Sequence, residues 1–337
     1  MKKQRRFYWL IPLLCLVLAV LCAGCGGAEA SQPQPTAEPQ VTHAPTAEPS
    51  PTPDPDALFT LADYPRVDGS TANLPLMAQV MADTCGIPLE EAQSYVSASK
   101  TANSWRSLIS GYADLLLVYE MPDAVKEEWE ASGVELEITP IGRDALVFMV
   151  NEQNPVQSLT QEQIRSIYTG EVTNWADVGG EDLEIKAFQR DATSGSQTLF
   201  VKLLMGDTPT MDAPTELRPG MMGALVDGLA LYNKEGSAIG YSVYYYINEM
   251  YSQPGLRLLA VDGVTPSAES IANQSYPLLN EVYVAIRADE PEDSPARQLY
   301  NWVLGEGGRA AVEAGGYVPA APLPGGDDPA VCSYPLK

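Results

Sequence analysis

Short apolar runs and amphipathic segments alternate along the chain from residue 57 onward. Three runs predict buried strands, at 114–119, 145–150 and 281–286, because each is short, apolar and bounded by polar residues. Polar and apolar residues alternate at the start of the last run, which is typical of a strand near a sheet margin. Strands separated by helical segments predict an α/β fold.

Two of the intervening segments carry signals for the start and the end of a helix. Thr160–Gln163 has the sequence of a capping box, and Gly170 is predicted to end that helix. Ser294 is predicted to cap a late helix that continues through Leu304 and ends at Gly305.

The first 24 residues have the organisation of a targeting segment and do not contribute to the predicted fold. Four basic residues precede an apolar run, 7–22, that is too short to span a bilayer comfortably. The run leads into Ala23-Gly24-Cys25, which resembles a bacterial lipobox, in which the cysteine is lipidated and becomes the mature first residue. We therefore expect a lipoprotein signal peptide over 1–24 and a lipid anchor at Cys25, with a plain secretory signal as the alternative.

Residues 25–56 are rich in Pro, Thr, Ala and Glu, and the sequence Thr-Ala-Glu-Pro occurs twice among them. This composition buries too little apolar surface to fold, so we expect a disordered tether that holds a soluble domain off a membrane surface. The single histidine of the chain, His43, lies in this tether. Catalysis by histidine and metal sites with histidine ligands are therefore disfavoured in the folded part.

The chain carries a formal net charge of −24 at pH 7. A surface this acidic repels nucleic acid and anionic lipid headgroups, so we expect no nucleic-acid partner. Any anion site must then act through short-range hydrogen bonds in a shielded cleft. Beyond Cys25 the chain has only Cys85 and Cys332, and the sequence leaves open whether they form a disulfide. We expect no metal and no cofactor.

The segment 188–198 has the residue types of an oxyanion site. Arg190 precedes the turn Ser194-Gly195-Ser196, which runs straight into an apolar helix. The start of a helix offers unpaired N–H groups, glycine permits close approach, hydroxyls add donors, and arginine supplies a planar fork of N–H groups. Together they predict a site for a tetrahedral oxyanion. The alternative is an ordinary loop with an N-cap serine.

Two further hydroxyl-rich segments precede predicted helices, at Asp68-Gly69-Ser70-Thr71 and at Thr101-Ala102-Asn103-Ser104. Each by itself is typical of an N-cap. In open α/β sheets such loops gather at the carboxyl ends of the strands, where ligands bind. The three segments together therefore favour one shared binding cleft.

With these motifs the chain resembles the phosphate-binding proteins of bacterial ABC importers (PstS type), within the type II periplasmic binding proteins. The resemblance covers nearly everything after the tether. It includes the Asp68–Thr71 loop, the segment 154–175 with its Asn174-Trp175 turn, and Arg190 with Ser194-Gly195-Ser196. The fold implied is a two-lobed α/β fold with a ligand cleft between the lobes.

The resemblance also implies which residues surround the anion. Arg190 would be its only full cation. The donors would be Ser70, Thr71, Thr101, Ser194, Gly195 and Ser196. Ser99 and Ser104 are competing choices for the position given to Thr101.

The family places a carboxylate that accepts a hydrogen bond from protonated phosphate. Glu120 lies near that position, and Asp114, at the start of the preceding strand, is the alternative. Sulfate has no proton to donate at neutral pH, so a buried acceptor would reject it by a factor on the order of 10⁴.

The resemblance implies a domain division and partners as well. Residues 57–147 and 276–337 would form lobe 1, and residues 148–275 would form lobe 2. The protein would be a monomer that captures inorganic phosphate and delivers it to a membrane permease driven by a separate ATPase, without catalysis.

Three other functions remain open at this point. The site could take another oxyanion, such as molybdate or sulfate. The same fold could serve as a surface receptor or adhesin. A hydrolase with Ser194 or Ser70 as nucleophile lacks an activating histidine, which leaves only a serine–lysine pair with Lys100 or Lys202.

Overall fold

The structure is a computed structural model that describes residues 57–231 and 236–320. The signal peptide 1–24, the lipidated Cys25, the tether 25–56 and Cys332 lie outside the described residues. Cys85 is buried, and its pairing with Cys332 stays a hypothesis.

Helices and strands follow one another along most of the described chain. The helices are α1 (Leu74–Cys85), α2 (Leu89–Tyr95), α3 (Thr101–Ile109), α4 (Asp123–Ser132), α5 (Gln161–Thr169), α6 (Gly195–Phe200), α7 (Met222–Leu231), α8 (Ala268–Ala272), α9 (Pro295–Leu304) and α10 (Glu306–Ala314). The strands are β1 (Val67–Gly69), β2 (Leu115–Val118), β3 (Leu136–Asn151), β4 (Ser158–Leu159), β5 (Lys186–Ala187), β6 (Ala238–Val243), β7 (Leu256–Leu258), β8 (Ala260–Val261), β9 (Leu279–Arg287) and β10 (Val318–Pro319).

The main sheet has the strand order β1-β2-β9-β3-β6-β5, and β10 and β7 also pair with β3. The long strand β3 joins two sections of this sheet. Its first part, Leu136–Ala145, pairs with β9, whereas its last part, from Leu146 onward, pairs with β6 and β7. The register of β3 shifts between Pro140 and Gly142, where a proline that has no N–H to donate is tolerated in a bulge.

The three predicted strands are confirmed, as parts of β2, β3 and β9. The expected marginal position of the third is wrong, because β9 lies between β2 and β3 and pairs with both. The alternating pattern of β9 arises because one face of the strand is only partly buried, not because the strand lies at the edge of the sheet. Glu281 and Tyr283 are partly buried, whereas Val282 and Val284 are fully buried.

Strand β2 separates two apolar cores. Leu115 and Leu117 pack into the larger core, which includes residues of α1, α9 and α10. Leu116 and Val118 face the opposite side and pack with residues of α3 and α4 in a smaller core. Since successive side chains of a strand point to opposite faces, a fully apolar strand predicts helices on both faces of the sheet.

Both predicted helix-capping signals are confirmed. The Thr160 hydroxyl accepts from Gln163 N at 3.1 Å, and Gln163 Oε1 accepts in return from Thr160 N at 2.9 Å. Gly170 ends α5 with a φ of 84°, which favours glycine. The Ser294 hydroxyl accepts from Arg297 N at 3.1 Å at the start of α9.

The described residues belong to one compact unit, so the division into two lobes stays a prediction. Among the helices of the described residues, none has the length and apolar character needed to cross a bilayer.

Candidate functional site

The three predicted anion-binding segments meet at one small cavity of about 20 Å³. The walls come from the β1–α1 connection, the start of α3, the end of β2, the loop before α6, and the start of α7. The lining residues are Ser70, Thr71, Ala72, Lys100, Thr101, Tyr119, Arg190, Ser194, Gly195 and Met222. The cavity has room for a small ion but not for a sugar or a peptide.

Ser70 and Thr101 form one hydroxyl wall of the cavity. Their side-chain oxygens lie 2.7 Å apart, and Tyr119 N donates to Ser70 Oγ at 3.0 Å. Both residues are buried. The Ser70 hydroxyl thus bonds to both the Tyr119 amide and Thr101, and these bonds fix the positions of the two hydroxyls at the cavity.

A close approach of two strands places Ser70 here. A Cβ on residue 69 would overlap the carbonyl oxygen of Leu117, so only glycine lets β1 approach β2 this closely. The chain then turns at Ser70 into the helical turn that leads to α1. The Asp68-Gly69-Ser70-Thr71 motif therefore serves strand packing and the cavity together.

Arg190 forms the opposite wall, with a side chain that is only 6 % exposed. Its Nε donates to the carbonyl of Pro219 at 3.1 Å, and its Nη2 donates to that of Gly220 at 3.5 Å. Its Nη1 is buried and has no hydrogen-bond partner among the described residues. Two main-chain carbonyls thus orient the guanidinium, and the two N–H groups of Nη1 are left without a partner among the described residues.

The charge of Arg190 is poorly compensated by its surroundings. Burial lowers its pKa, and the neighbouring carboxylate of Asp191 opposes that effect. Leaving a buried donor unpaired costs about 1–3 kcal/mol, and more for a charged group. A bound anion would remove this cost by accepting from Nη1 and neutralising the guanidinium.

The Ser194-Gly195-Ser196 turn completes this wall at the start of α6. Ser194 and Gly195 line the cavity. Ser196 is fully buried and does not line it; its hydroxyl lies 3.1 Å from that of Ser194. Ser196 can therefore orient the Ser194 hydroxyl instead of contacting the ligand directly.

Beside Arg190, which the resemblance implies as the only full cation of the site, the cavity is lined by a second cation, Lys100. Its Nζ donates to the carbonyl of Gly220 at 3.0 Å and lies 3.8 Å from Asp191 Oδ2. Its φ of 75° is uncommon for a residue with a side chain. The signal in the sequence was its place directly before the hydroxyl-rich start of α3.

Thr101 lines the cavity, whereas its two competitors form hydrogen bonds elsewhere. Ser99 binds Asp68 through both its amide and its hydroxyl, at 2.8 and 2.5 Å. The hydroxyl of Ser104 donates to the carbonyl of Thr101 at 2.9 Å. Neither Ser99 nor Ser104 lines the cavity.

The two carboxylates suggested as ligand acceptors are not brought to the cavity. Glu120 forms an ion pair with Lys202 and lines a different cavity. Asp114 binds the main-chain amide and the guanidinium of Arg66, which lowers its pKa although burial alone would raise it. Since β2 runs from Asp114 toward the cavity, Asp114 lies at the end of the strand away from the ligand site.

A third carboxylate, which the sequence analysis did not single out, lies behind the cavity. Asp144 accepts from the Tyr119 hydroxyl at 2.7 Å and from the amides of Ala145 and Tyr245 at 2.8 and 3.1 Å. It is 2 % exposed, and burial raises its pKa to about 6. It lies in β3 where pairing passes from β9 to β6, so it supports Tyr119 at the junction of the two sheet sections.

A family model described as a PBP superfamily domain matches residues 42–306, most of this chain. The chain belongs to the PBP superfamily. Membership agrees with the mixed α/β fold seen here and with the family resemblance found in the sequence.

Similar proteins have names that refer to phosphate. The phosphate-binding protein PstS of Borreliella burgdorferi is 26% identical over 198 residues, which cover 58% of this chain and 69% of that protein. The fold is similar to that of a protein described as a phosphate ABC transporter substrate-binding protein from Clostridium perfringens, solved with bound phosphate. That similarity has a TM-score of 0.59 and 22% identity, over 76% of this chain and 98% of that one.

A second structure with a similar fold is an ABC-type phosphate transport receptor from Vibrio cholerae. Its TM-score is 0.58 at 22% identity, over 75% of this chain and 98% of that chain. At this level of identity the two solved structures establish the fold of the present chain and nothing about its ligand.

Proposed function

We propose that this protein captures inorganic phosphate outside the cytoplasm and delivers it to an ABC importer. The observation that carries the proposal is that Arg190 lines the cavity and that its buried Nη1 has no partner among the described residues. A small anion accepts from this donor and from the cavity hydroxyls at once.

The shape and chemistry of the cavity favour a tetrahedral oxyanion. Donors approach from two sides: the hydroxyls of Ser70 and Thr101 on one, and Arg190 with Ser194 on the other. The volume of about 20 Å³ suits an ion and excludes larger metabolites. Because the chain has a formal charge of −24, binding depends on these short contacts and not on long-range attraction.

The names of similar proteins support phosphate as the ion, since the relative from Borreliella burgdorferi is called a phosphate-binding protein. The delivery step, to a permease and a separate ATPase, rests on the same relatives and on the sequence resemblance. Anchoring through a lipid on Cys25, the two-lobed division and the monomeric state are further parts of this proposal, supported by the sequence alone.

A second candidate function is binding of another oxyanion, such as sulfate or molybdate. It is favoured by one observation: no carboxylate is found among the described residues that line the cavity. The hydroxyls of Ser70 and Thr101 can accept the proton of phosphate, but they do not repel sulfate as a carboxylate would.

Hydrolysis finds less support than binding does. The hydroxyls of Ser70 and Ser194 bond to Thr101 and Ser196, respectively. The ammonium of Lys100 bonds to a main-chain carbonyl, and that of Lys202 pairs with Glu120. The geometry thus contains no serine–lysine hydrogen bond of the kind that activates a nucleophile.

Calorimetric titration of the purified protein with phosphate, sulfate and molybdate tests the proposal. Arg190→Ala is expected to weaken binding by about 2–5 kcal/mol, because it removes the buried cation that lines the cavity. Arg309→Ala is the matched control, since that arginine lies on α10 and is half exposed.

Near-normal phosphate binding by Arg190→Ala would exclude the site. Absence of heat with all three anions would favour a receptor or adhesin instead. Release of product from a phosphate ester would favour the hydrolase.

A further inference from the structure

A second cavity, of about 310 Å³, lies beside the anion cavity and shares no lining residue with it. It lies over the sheet face that carries Ile138 and Tyr283. The helices α3 and α4 cover the smaller core on this face, but they leave these two side chains only partly buried. The cavity is therefore the uncovered part of an apolar sheet face.

Two tryptophans lie at this cavity: Trp129 is partly exposed and forms an aromatic wall, whereas Trp105 is buried beneath the floor. Trp105 donates its indole N–H to the carbonyl of Tyr119 at 3.0 Å, and Trp129 donates its own to the carbonyl of Val134 at 2.7 Å. Both indole donors are thus used within the protein, and the rings are held in place. A ligand would therefore contact the tryptophan surface through apolar and aromatic packing and not through an indole hydrogen bond.

Charged side chains of both signs stand around this apolar floor. Glu120 and Lys202 form an ion pair at one side, and Asp123 and Lys126 lie on the first turns of α4. The rim therefore carries two carboxylates and two ammonium groups, unlike the strongly acidic chain as a whole. A ligand with a single charge would meet like charges somewhere on this rim.

We propose that this cavity binds a small zwitterion with an aromatic body, of the class of aromatic amino acids, at the same time as an anion occupies the first cavity. The volume is in the range of small-molecule sites. The ligand's ring packs against the partly exposed Trp129 and Tyr283. Its ammonium lies near the carboxylates and over an aromatic face, and its carboxylate lies near the lysines.

Calorimetry on the full protein with three related probes tests this proposal. L-phenylalanine carries both charges, phenethylamine only the positive one, and 3-phenylpropionate only the negative one. We expect phenylalanine to bind with one site per chain, and roughly tenfold or more tightly than either of the others. Saturating phosphate should change its Kd by less than about twofold, because the two cavities have separate linings.

Variants of residues that line the second cavity test whether phenylalanine binds there. Trp129→Ala and Lys126→Gln are each expected to weaken phenylalanine binding by roughly tenfold while phosphate titrates as in the unaltered protein. Trp302→Ala is the matched control, because this tryptophan lies on α9 and does not line the cavity. Thermal unfolding of each variant verifies that it is folded.

Three outcomes would overturn the proposal. They are no binding of phenylalanine, equal binding of phenethylamine or phenylpropionate, and displacement of phenylalanine by phosphate. The first two are independent of whether phosphate itself binds, and a separate phosphate titration on the same samples shows whether the third can be read.

Discussion

Gly195 and Thr101 face each other so closely that a Cβ on residue 195 would overlap the hydroxyl oxygen of Thr101. The two residues begin α6 and α3, which approach the cavity from different sections of the sheet. Glycine at 195 is therefore required by the tertiary contact and not by its own backbone conformation. The closeness of the two helix starts sets the width of the anion cavity.

Replacing this glycine should widen the cavity. Gly195→Ala forces Thr101 and α6 apart, and overpacking of this kind costs about 1–3 kcal/mol. We expect a loss of phosphate affinity of that size, measured by calorimetry. Gly305→Ala is the matched control, because a Cβ there would make only ordinary contacts, at 3.4 Å or more, and the residue lies between α9 and α10 and does not line the cavity. Equal affinities for the two variants would show that the close approach does not matter for binding.

Lys100 should contribute to anion binding less than Arg190 does. Its side chain is 37% exposed, so solvent and salt screen its charge. Lys100→Gly removes the charge and suits the positive φ at this position. We expect weaker phosphate binding with a smaller salt dependence and no loss of thermal stability, measured by titration at two salt concentrations and by unfolding. Unchanged affinity at low salt would exclude Lys100 from the site.

Glu120 provides a direct comparison between the sequence-based hypothesis and the structure. If Glu120 accepted a proton from the ligand, Glu120→Gln would relax discrimination against sulfate. Because Glu120 pairs with Lys202 and does not line the cavity, we expect the ratio of phosphate to sulfate affinity to change by less than about twofold. Competition titrations measure that ratio, and a large change would return the acceptor role to Glu120.

Asp144 should make the stability of the fold depend on pH. Burial raises the pKa of Asp144 in the folded protein to about 6 from its ordinary value of 3.8, so the folded state binds a proton more tightly than the unfolded state does. The stabilisation is complete below pH 3.8 and is lost as the pH rises through 6. The loss amounts to about 3 kcal/mol over this window.

The matched variant for this prediction is Asp144→Asn, which keeps the shape of the side chain without the ionisation. Urea unfolding of both proteins between pH 4 and pH 7 isolates the contribution, since the other carboxylates titrate in both. The unfolding free energy of the unaltered protein should fall relative to that of the variant as the pH rises. A constant difference would mean that the pKa of Asp144 is not raised.

Local signals in the sequence predicted much of the secondary structure. The capping box at Thr160 and the cap at Ser294 were predicted correctly, because each depends on hydrogen bonds between residues only three positions apart. The strands β2 and β3 were predicted for a similar reason, since burial on both faces leaves a continuous apolar run, and β9 was predicted from the alternation at the start of its run. The position of β9 within the sheet was not predicted correctly. Alternation indicates that one face of a strand is half-buried, but it does not indicate whether the strand pairs on one edge or on both.

The candidate site was predicted in part. The sequence determined the types of donor present, and it placed Ser70, Thr101 and Arg190 each beside the start of a helix, where donors face outward. It also determined the acidic surface, which restricts anion binding to short contacts.

Only the tertiary structure decided which of these groups share a cavity. Lys100 lines the cavity, whereas Glu120 pairs with Lys202 outside it, and Asp144 is buried where it accepts from the Tyr119 hydroxyl. These outcomes depend on contacts between residues far apart in the chain and on the depth at which each charge is buried. A local sequence pattern contains neither the long-range contacts nor the burial of each charge. Packing brings distant segments together, and the burial of a side chain depends on which other segments cover it.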